Sequence, residues 1–321
     1  MKASIRRGAG WAARVALTVV VTYFLFRSLR LSWSEIAASD AAAWRPRPVT
    51  LAASLLALLA VFAYLVGLWS RMVRKLDGPA LTFIDAVRIF FLANLGRYVP
   101  GKVWQLAGLT YLAGKKGVSL PVASTSAVLG QLFSLAAAAC VAAAGLAVGA
   151  SAGYPQELSA WALALLALVG AVTMIPAALR LVLRVAFKVA RGGEEAPEID
   201  NWFGARWLGL YLPAWLGYGI AFGLLWASFP ALPPVFWPAA IGGFAAAYFL
   251  GYAAIFAPAG VGVREGAVAV LLAPWTGAAG AAVLAVIARL WMTAAELLPL
   301  VLAAGARWVR RPSVDSETRY V

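Results

Sequence analysis

Residues 236–272 read FWPAAIGGFAAAYFLGYAAIFAPAGVGVREGAVAVLL. The run 236–256 contains no charged residue, and as a helix its 21 residues would extend about 30 Å, the thickness of a bilayer's hydrocarbon core. The run stops at Pro258-Ala259-Gly260, then resumes with Arg264-Glu265 inside otherwise apolar sequence. In lipid an apolar segment must pair its own backbone, so it is a helix. A break is tolerated only where protein or a water-filled cavity meets the freed groups. A charge near the bilayer centre costs at least ~2.5–3.5 kcal/mol, so one retained there has a purpose. The stretch therefore predicts a broken, re-entrant helical hairpin within a polytopic α-helical membrane protein.

The rest of the chain agrees. Hydrophobic residues make up 63% of the 321 positions and charged residues 12%, about half the charge that a soluble surface carries. The alternating ten-residue segments of a β-barrel are missing. No histidine is present and Cys140 is alone in an Ala-rich run. This removes His-ligated metals, Ser-His triads and intramolecular disulfides, and makes Cys140 a packing residue. The net charge of +14 does not point to nucleic acid, because the basic residues cluster at the ends of apolar runs, as the positive-inside rule expects.

Outward from the quoted segment, full spans are predicted at 11–26, 49–69, 120–150, 158–187 (kinked at Pro176), 207–229 and 280–305. A second interrupted segment runs from Thr82 to Gly114 and breaks at Pro100-Gly101. The expected fold is thus all-α and polytopic, with about six full spans plus two broken hairpins in one membrane domain, 1–311, followed by a polar tail, 312–321. Basic ends place both termini, 71–75, Lys115-Lys116 and 180–206 in the cytoplasm, and the charge-poor connections 151–157, 230–235 and 274–279 outside. The four arginines between Arg27 and Arg47 are the one misfit. On this path the hairpins enter from opposite faces. A shift of 158 residues lays Pro100 on Pro258, residues 127–133 on 285–291, and the span from Val49 on that from Trp207. Two inverted halves, about 1–150 and 155–311, are expected, and paired broken segments in inverted halves mark a central binding site.

Asn94, Arg97, Pro100, Gly101, Lys102, Trp104 and Gln105 surround the first break, and Pro258, Gly260, Gly262, Arg264 and Glu265 the second. Glycine admits close approach of backbone N–H groups, and arginine offers a fork that fits phosphate oxygens. Arg97 and Lys102 could instead snorkel to the surface, and Arg264 with Glu265 could be a structural pair. Arg289 and Glu296 lie seven apart on one face of the last span. Arg289 either binds substrate or pairs with Glu265 or Glu296, and its repeat counterpart is Gln131. Tryptophans such as Trp69, Trp202 and Trp237 read as interfacial belts, whereas Trp104 stands out by following Pro100-Gly101-Lys102. Neither a catalytic nor a metal-binding set is evident, and no cofactor is implied.

The stretches Asn94-Leu95-Gly96-Arg97-Tyr98-Val99-Pro100-Gly101-Lys102-Val103-Trp104, Gly114-Lys115-Lys116-Gly117-Val118-Ser119 and Pro258-Ala259-Gly260-Val261-Gly262-Val263-Arg264-Glu265 resemble the lysylphosphatidylglycerol synthase transmembrane family, which is flippase-like. The resemblance implies movement of lipids or lipid-linked intermediates between leaflets. Some members fuse this domain to a soluble aminoacyltransferase, and the sixteen residues after Gly305 hold none. The expectation is a non-enzymatic transporter of an anionic phospholipid or polyprenyl-phosphate-linked lipid. A non-transporting partner of a cell-envelope biosynthesis enzyme is the alternative, and a lipid-phosphate enzyme a more distant one. The Ala-, Arg- and Trp-rich composition suggests a high-GC bacterium, hence a bacterial plasma membrane; the oligomeric state is left open.

Overall fold

A computed structural model describes residues 44–98, 103–150, 160, 164, 168, 173, 175–189, 196–254 and 257–309. Among them are eight α-helices and no strand: α1 Pro48–Lys75, α2 Phe83–Asn94, α3 Val103–Gly114, α4 Leu120–Ala150, α5 Pro176–Val189, α6 Phe203–Ala227, α7 Trp237–Ala253 and α8 Val263–Val309. Four described segments are long and apolar enough to cross a membrane, namely α1, α4, α6 and Val263–Val301 within α8. The chain is a multi-pass helical membrane protein. The predicted span at 11–26 and the connection at 151–157 lie outside the described residues.

The frame is an antiparallel pair of helices, α1 and α6. Pro48 opens α1, where its missing N–H is no loss, and Arg74 and Lys75 close it against the negative end of the helix. The Ser54 hydroxyl donates to the Ala221 carbonyl at 2.7 Å, and the Tyr64 hydroxyl to that of Leu210 at 2.8 Å. As the number rises along α1 it falls along α6, so the two run in opposite directions. At one end the Arg47 N–H donates to the Ser228 carbonyl at 2.7 Å, and α7 leaves from that end after a turn closed by the Trp226 indole on the Pro233 carbonyl. At the other end α1 finishes at Lys75, and α2 leaves from there. The two broken segments thus start at opposite ends of the pair.

Small residues let the remaining helices close in. A Cβ on Gly145 of α4 would lie 2.5 Å from the Gly242 Cα of α7, so those two backbones nearly touch. Close approach of this kind replaces the hydrophobic drive that is missing between helices in lipid.

The first broken segment is a hairpin. Thr82 caps α2 through the Asp85 N–H at 3.1 Å, and Asp85 meets Lys116 at 2.8 Å beyond the end of α3, closing the base. At the tip a 3₁₀ turn, Leu95–Tyr98, carries Arg97. A Cβ on Gly96 would lie 2.7 Å from the Trp104 backbone, which only glycine permits. The second segment is α7, then a 3₁₀ turn at Pro258–Gly260, then α8.

Helix α8 is two arms. Gly277 leaves the helical region, with φ 72° and ψ 162°, a conformation closed to residues bearing a Cβ. Glu265, twelve residues before it, meets Arg289, twelve residues after it, at 3.3 Å. The chain therefore doubles back at Gly277, and a reversal centred on one residue stands where the sequence suggested a connection at 274–279. Of the expected span at 158–187, most of 158–174 lies outside the described residues, and the described part departs from expectation at Pro176. Ile175 is non-helical and Pro176 starts α5 instead of kinking a continuous helix, because the residue before proline avoids the helical region and proline suits a first turn. Leu179, Leu183 and Phe187 bury one face of α5 at intervals of four, as an amphipathic helix does.

Candidate functional site

The two breaks meet. Between them lies a cleft of about 560 Å³, walled by Arg97 and Gln105 from the first hairpin, Ala259 and Gly260 from the second break, and Arg264, Arg289, Thr293 and Glu296 from α8. A second cleft of about 670 Å³ adjoins it and shares Arg97, Gln105 and Tyr248 with it.

Each charged group on this wall is placed by its local fold. The first turn of the α8 arm sits on Gly262, whose N–H donates to Glu265 Oε2 at 2.7 Å. This is the reciprocal half of a capping box, in which the third helical residue reaches back to the cap. The other Glu265 oxygen accepts from Arg289 at 3.3 Å, and the same Arg289 nitrogen donates to the Ala259 carbonyl at 3.1 Å. One arginine thus ties the last arm to the broken segment. Gly260, with φ 69°, packs against α7 so tightly that a Cβ would lie 2.8 Å from the Gly251 carbonyl oxygen.

Across the cleft Arg97 donates to Glu296 at 2.6 Å, and Glu296 is only 3% exposed. Arg97 therefore does not snorkel; it joins the first hairpin to the last arm. Beside it the Gln105 amide donates to the Asn94 carbonyl oxygen at 2.7 Å, linking the two arms of the first hairpin.

Arg264 differs from the other two arginines. It is 7% exposed, with its guanidinium 5.1 Å from the centroids of both the Phe244 and Tyr248 rings. Both aromatic faces stabilise a cation, but no carboxylate reaches Arg264 within ion-pair distance among the described residues. Its Nη2 is buried without a hydrogen-bond partner among them. Glu265 is engaged by Arg289 and Glu296 by Arg97, so among the described residues three arginines face two acids here. A buried charge without a counter-ion costs several kcal/mol, which a bound anion offsets. Arg264 and Glu265 are therefore not the structural pair considered from sequence, and Arg289 takes Glu265 instead of Glu296.

Of the other expected site residues, Asn94 is buried and, with Gln131, lines the second cleft. Pro258 and Gly260 form the second break. Trp104 is 54% exposed and stands outside both clefts. Pro100, Gly101 and Lys102 lie outside the described residues. Trp69, which read as interfacial, is 2% exposed and lines the second cleft. Tyr248, Gly251, Tyr252 and Met292, all on the first cleft's wall, carry no signal in the sequence alone. Thr293 had a signal in its position between Arg289 and Glu296 on the same helical face. Among the described residues no cluster of three or more acids or thiols could hold a metal.

No curated protein matches the chain. The interrupted segments that build the cleft fall within residues 11–299, which match the model of the lysylphosphatidylglycerol synthase TM region, and the chain belongs to that family.

Proposed function

We propose that this protein moves an anionic lipid between leaflets by lodging the phosphate in the cleft at the meeting hairpins, while the acyl or prenyl chains stay in the bilayer. The observation that carries this reading is Arg264, a buried guanidinium that among the described residues has no acidic partner and keeps an unused N–H group. A phosphodiester supplies both the charge and the acceptor oxygens. Arg97 and Arg289, each neutralised by a glutamate, set the walls and the field around it.

The geometry favours a central site. Helix α2 has 12 residues and α7 has 17, so their tips reach about 18 and 25 Å from their bases. Entering a core of about 30 Å from opposite faces, they overlap at mid-depth. Bases at opposite ends of the α1–α6 pair support two inverted halves, about 1–150 and 155–311, in a single membrane domain. With six full spans in all, the basic ends then put both termini in the cytoplasm of a bacterial plasma membrane. In this reading the chain is a carrier and not an enzyme; a cell-envelope biosynthesis enzyme that supplies or consumes the lipid is its natural partner.

The test is leaflet exchange in proteoliposomes, using labelled phosphatidylglycerol and a labelled polyprenyl phosphate, with Arg264→Gln as the comparison. Accelerated exchange of either lipid that the substitution reduces at least about tenfold is expected, since one charge-assisted contact contributes ~1.5–3 kcal/mol. No acceleration of either lipid sinks the reading.

A further inference from the structure

Helix α5 is divided lengthwise into four stripes. With about 100° between successive residues, the buried Leu179, Leu183 and Phe187 share one flank. Arg180, Arg184 and Lys188, again four apart, occupy the adjoining side. Leu181 and Val185, both exposed, lie on the flank opposite the buried one. Opposite the basic stripe stand Ala178, Val182 and Ala186, half-buried and apolar. The helix therefore has protein on one flank and bare apolar surface on the other, with charge above and apolar side chains below.

Its place in the fold matches that division. The buried flank rests on the start of α6, where a Cβ on Gly204 would lie 3.0 Å from Leu179 Cδ1. Arg180 donates to the Asn201 side-chain oxygen at 2.7 Å. At this end of the frame α1 closes with Arg71, Arg74 and Lys75, all exposed, and Trp202 is exposed at the start of α6. The 14 residues of α5 extend about 21 Å, too short to cross a core of about 30 Å. Among the described residues no carboxylate lies within ion-pair distance of Arg180, Arg184 or Lys188. Glu198 lines the same open cleft of about 750 Å³ as Arg180 and Arg184 without pairing with either.

We infer that α5 lies in the plane of the membrane at this interface and binds an anionic leaflet. Leu181 and Val185 sit among the first acyl carbons, and the stripe of Arg180, Arg184 and Lys188 sits at the level of the lipid phosphates. A helix of this kind binds through buried apolar area and charge together, and each Lys or Arg near an anionic surface adds about fivefold in affinity. The partner is the leaflet surface, not a transported molecule, since α5 contributes no residue to either cleft between the hairpins. This inference is independent of the carrier reading. An acidic protein segment would match the basic stripe but leave Leu181, Val185 and Trp202 in water.

The test uses the full chain in nanodiscs made from an equal mixture of phosphatidylcholine and phosphatidylglycerol. Leu181→Cys and Lys188→Cys are made singly in a Cys140→Ala background and labelled with a nitroxide. The label at 181 should collide with oxygen dissolved in the lipid and be shielded from a water-soluble nickel chelate, and the label at 188 should show the reverse. A bimane at 181 then reports lipid choice through quenching by brominated phosphatidylglycerol or brominated phosphatidylcholine. The expected preference for the anionic lipid is at least about fivefold, falling to within about twofold of none in Arg184→Gln/Lys188→Gln. Arg184 and Lys188 are both exposed, and a melting temperature within a few degrees of the parent shows that the double variant is folded. Free access of the nickel chelate to the label at 181 overturns the in-plane placement and favours an acidic partner in water. Equal quenching by the two lipids in the parent, or a preference that survives the double substitution, overturns the role of the basic stripe.

Discussion

Replacing Glu296 with glutamine isolates what holds the two hairpins together. The Arg97–Glu296 contact is 2.6 Å long, with one partner 3% and the other 18% exposed. At an effective dielectric of about 20, two charges at that spacing attract by roughly 6 kcal/mol, which bounds the effect from above. Glutamine still accepts one hydrogen bond, so part of that is retained, while Arg97 loses its neutralising charge in a water-poor site. Breaking a buried pair from one side typically costs 3–5 kcal/mol. We therefore expect Glu296→Gln to lose about 2–4 kcal/mol of unfolding free energy, and Arg97→Gln a similar amount. The double variant, with two neutral amides facing each other, should lose at least about 2 kcal/mol less than the sum. Reversible unfolding of all four proteins in mixed micelles supplies the cycle. Single losses that add to within about 0.5 kcal/mol would refute a direct coupling between the first hairpin and the last arm.

Gly260→Ala should cost about 2 kcal/mol or more, from a positive φ and a Cβ that meets the Gly251 backbone at 2.8 Å; unfolding in micelles measures it, and a loss under about 0.5 kcal/mol contradicts the packing. Gly145→Val should push α4 from α7, where 2.5 Å is available for a Cβ; lower folded yield and a lower melting temperature are expected, and parental values count against the contact. Arg289→Lys keeps the charge, but its ammonium ends one bond short of the Nη1 that serves both the Ala259 carbonyl and Glu265, so a several-fold loss of lipid exchange is expected, with unchanged exchange as the refuting result. Asp85→Asn, by contrast, removes an ion pair whose lysine is 48% exposed, and stability should move by less than about 1 kcal/mol.

Arg264, Arg289 and Glu296 were legible because a charge within an apolar run is costly enough to need a reason, and a break at Pro-Gly says where that reason sits. Their partners were not legible. Glu296 pairs with Arg97, 199 residues away, and nothing local distinguishes that choice from Arg289, seven residues away on the same face. Tyr248 and Tyr252 escaped notice because a tyrosine in an apolar run looks the same whether it lines a cleft or sits in an interfacial belt. Trp104 follows Pro-Gly-Lys, a place that suggests a site, yet it faces away from both clefts. Successive residues on a helix point about 100° apart, so the inward turn of Gln105 carries Trp104 outward. The departure at Pro176 has a local cause in the residue before it, whereas the reversal at Gly277 depends on what the two arms meet when they fold back.

That reversal makes α8 a counting device. Glu265 and Arg289 meet because the same number of residues separates each from Gly277. One residue inserted in either arm would turn everything beyond it by about 100° and move it by 1.5 Å, taking the arginine off its acid and off the Ala259 carbonyl. The arms can change length only in matched steps of whole turns, which carry the site deeper or shallower without dismantling it. A bilayer of different thickness would thus be met by relatives in which paired insertions of three or four residues flank the glycine, and a lone insertion on one side should be as damaging as losing Arg289 itself.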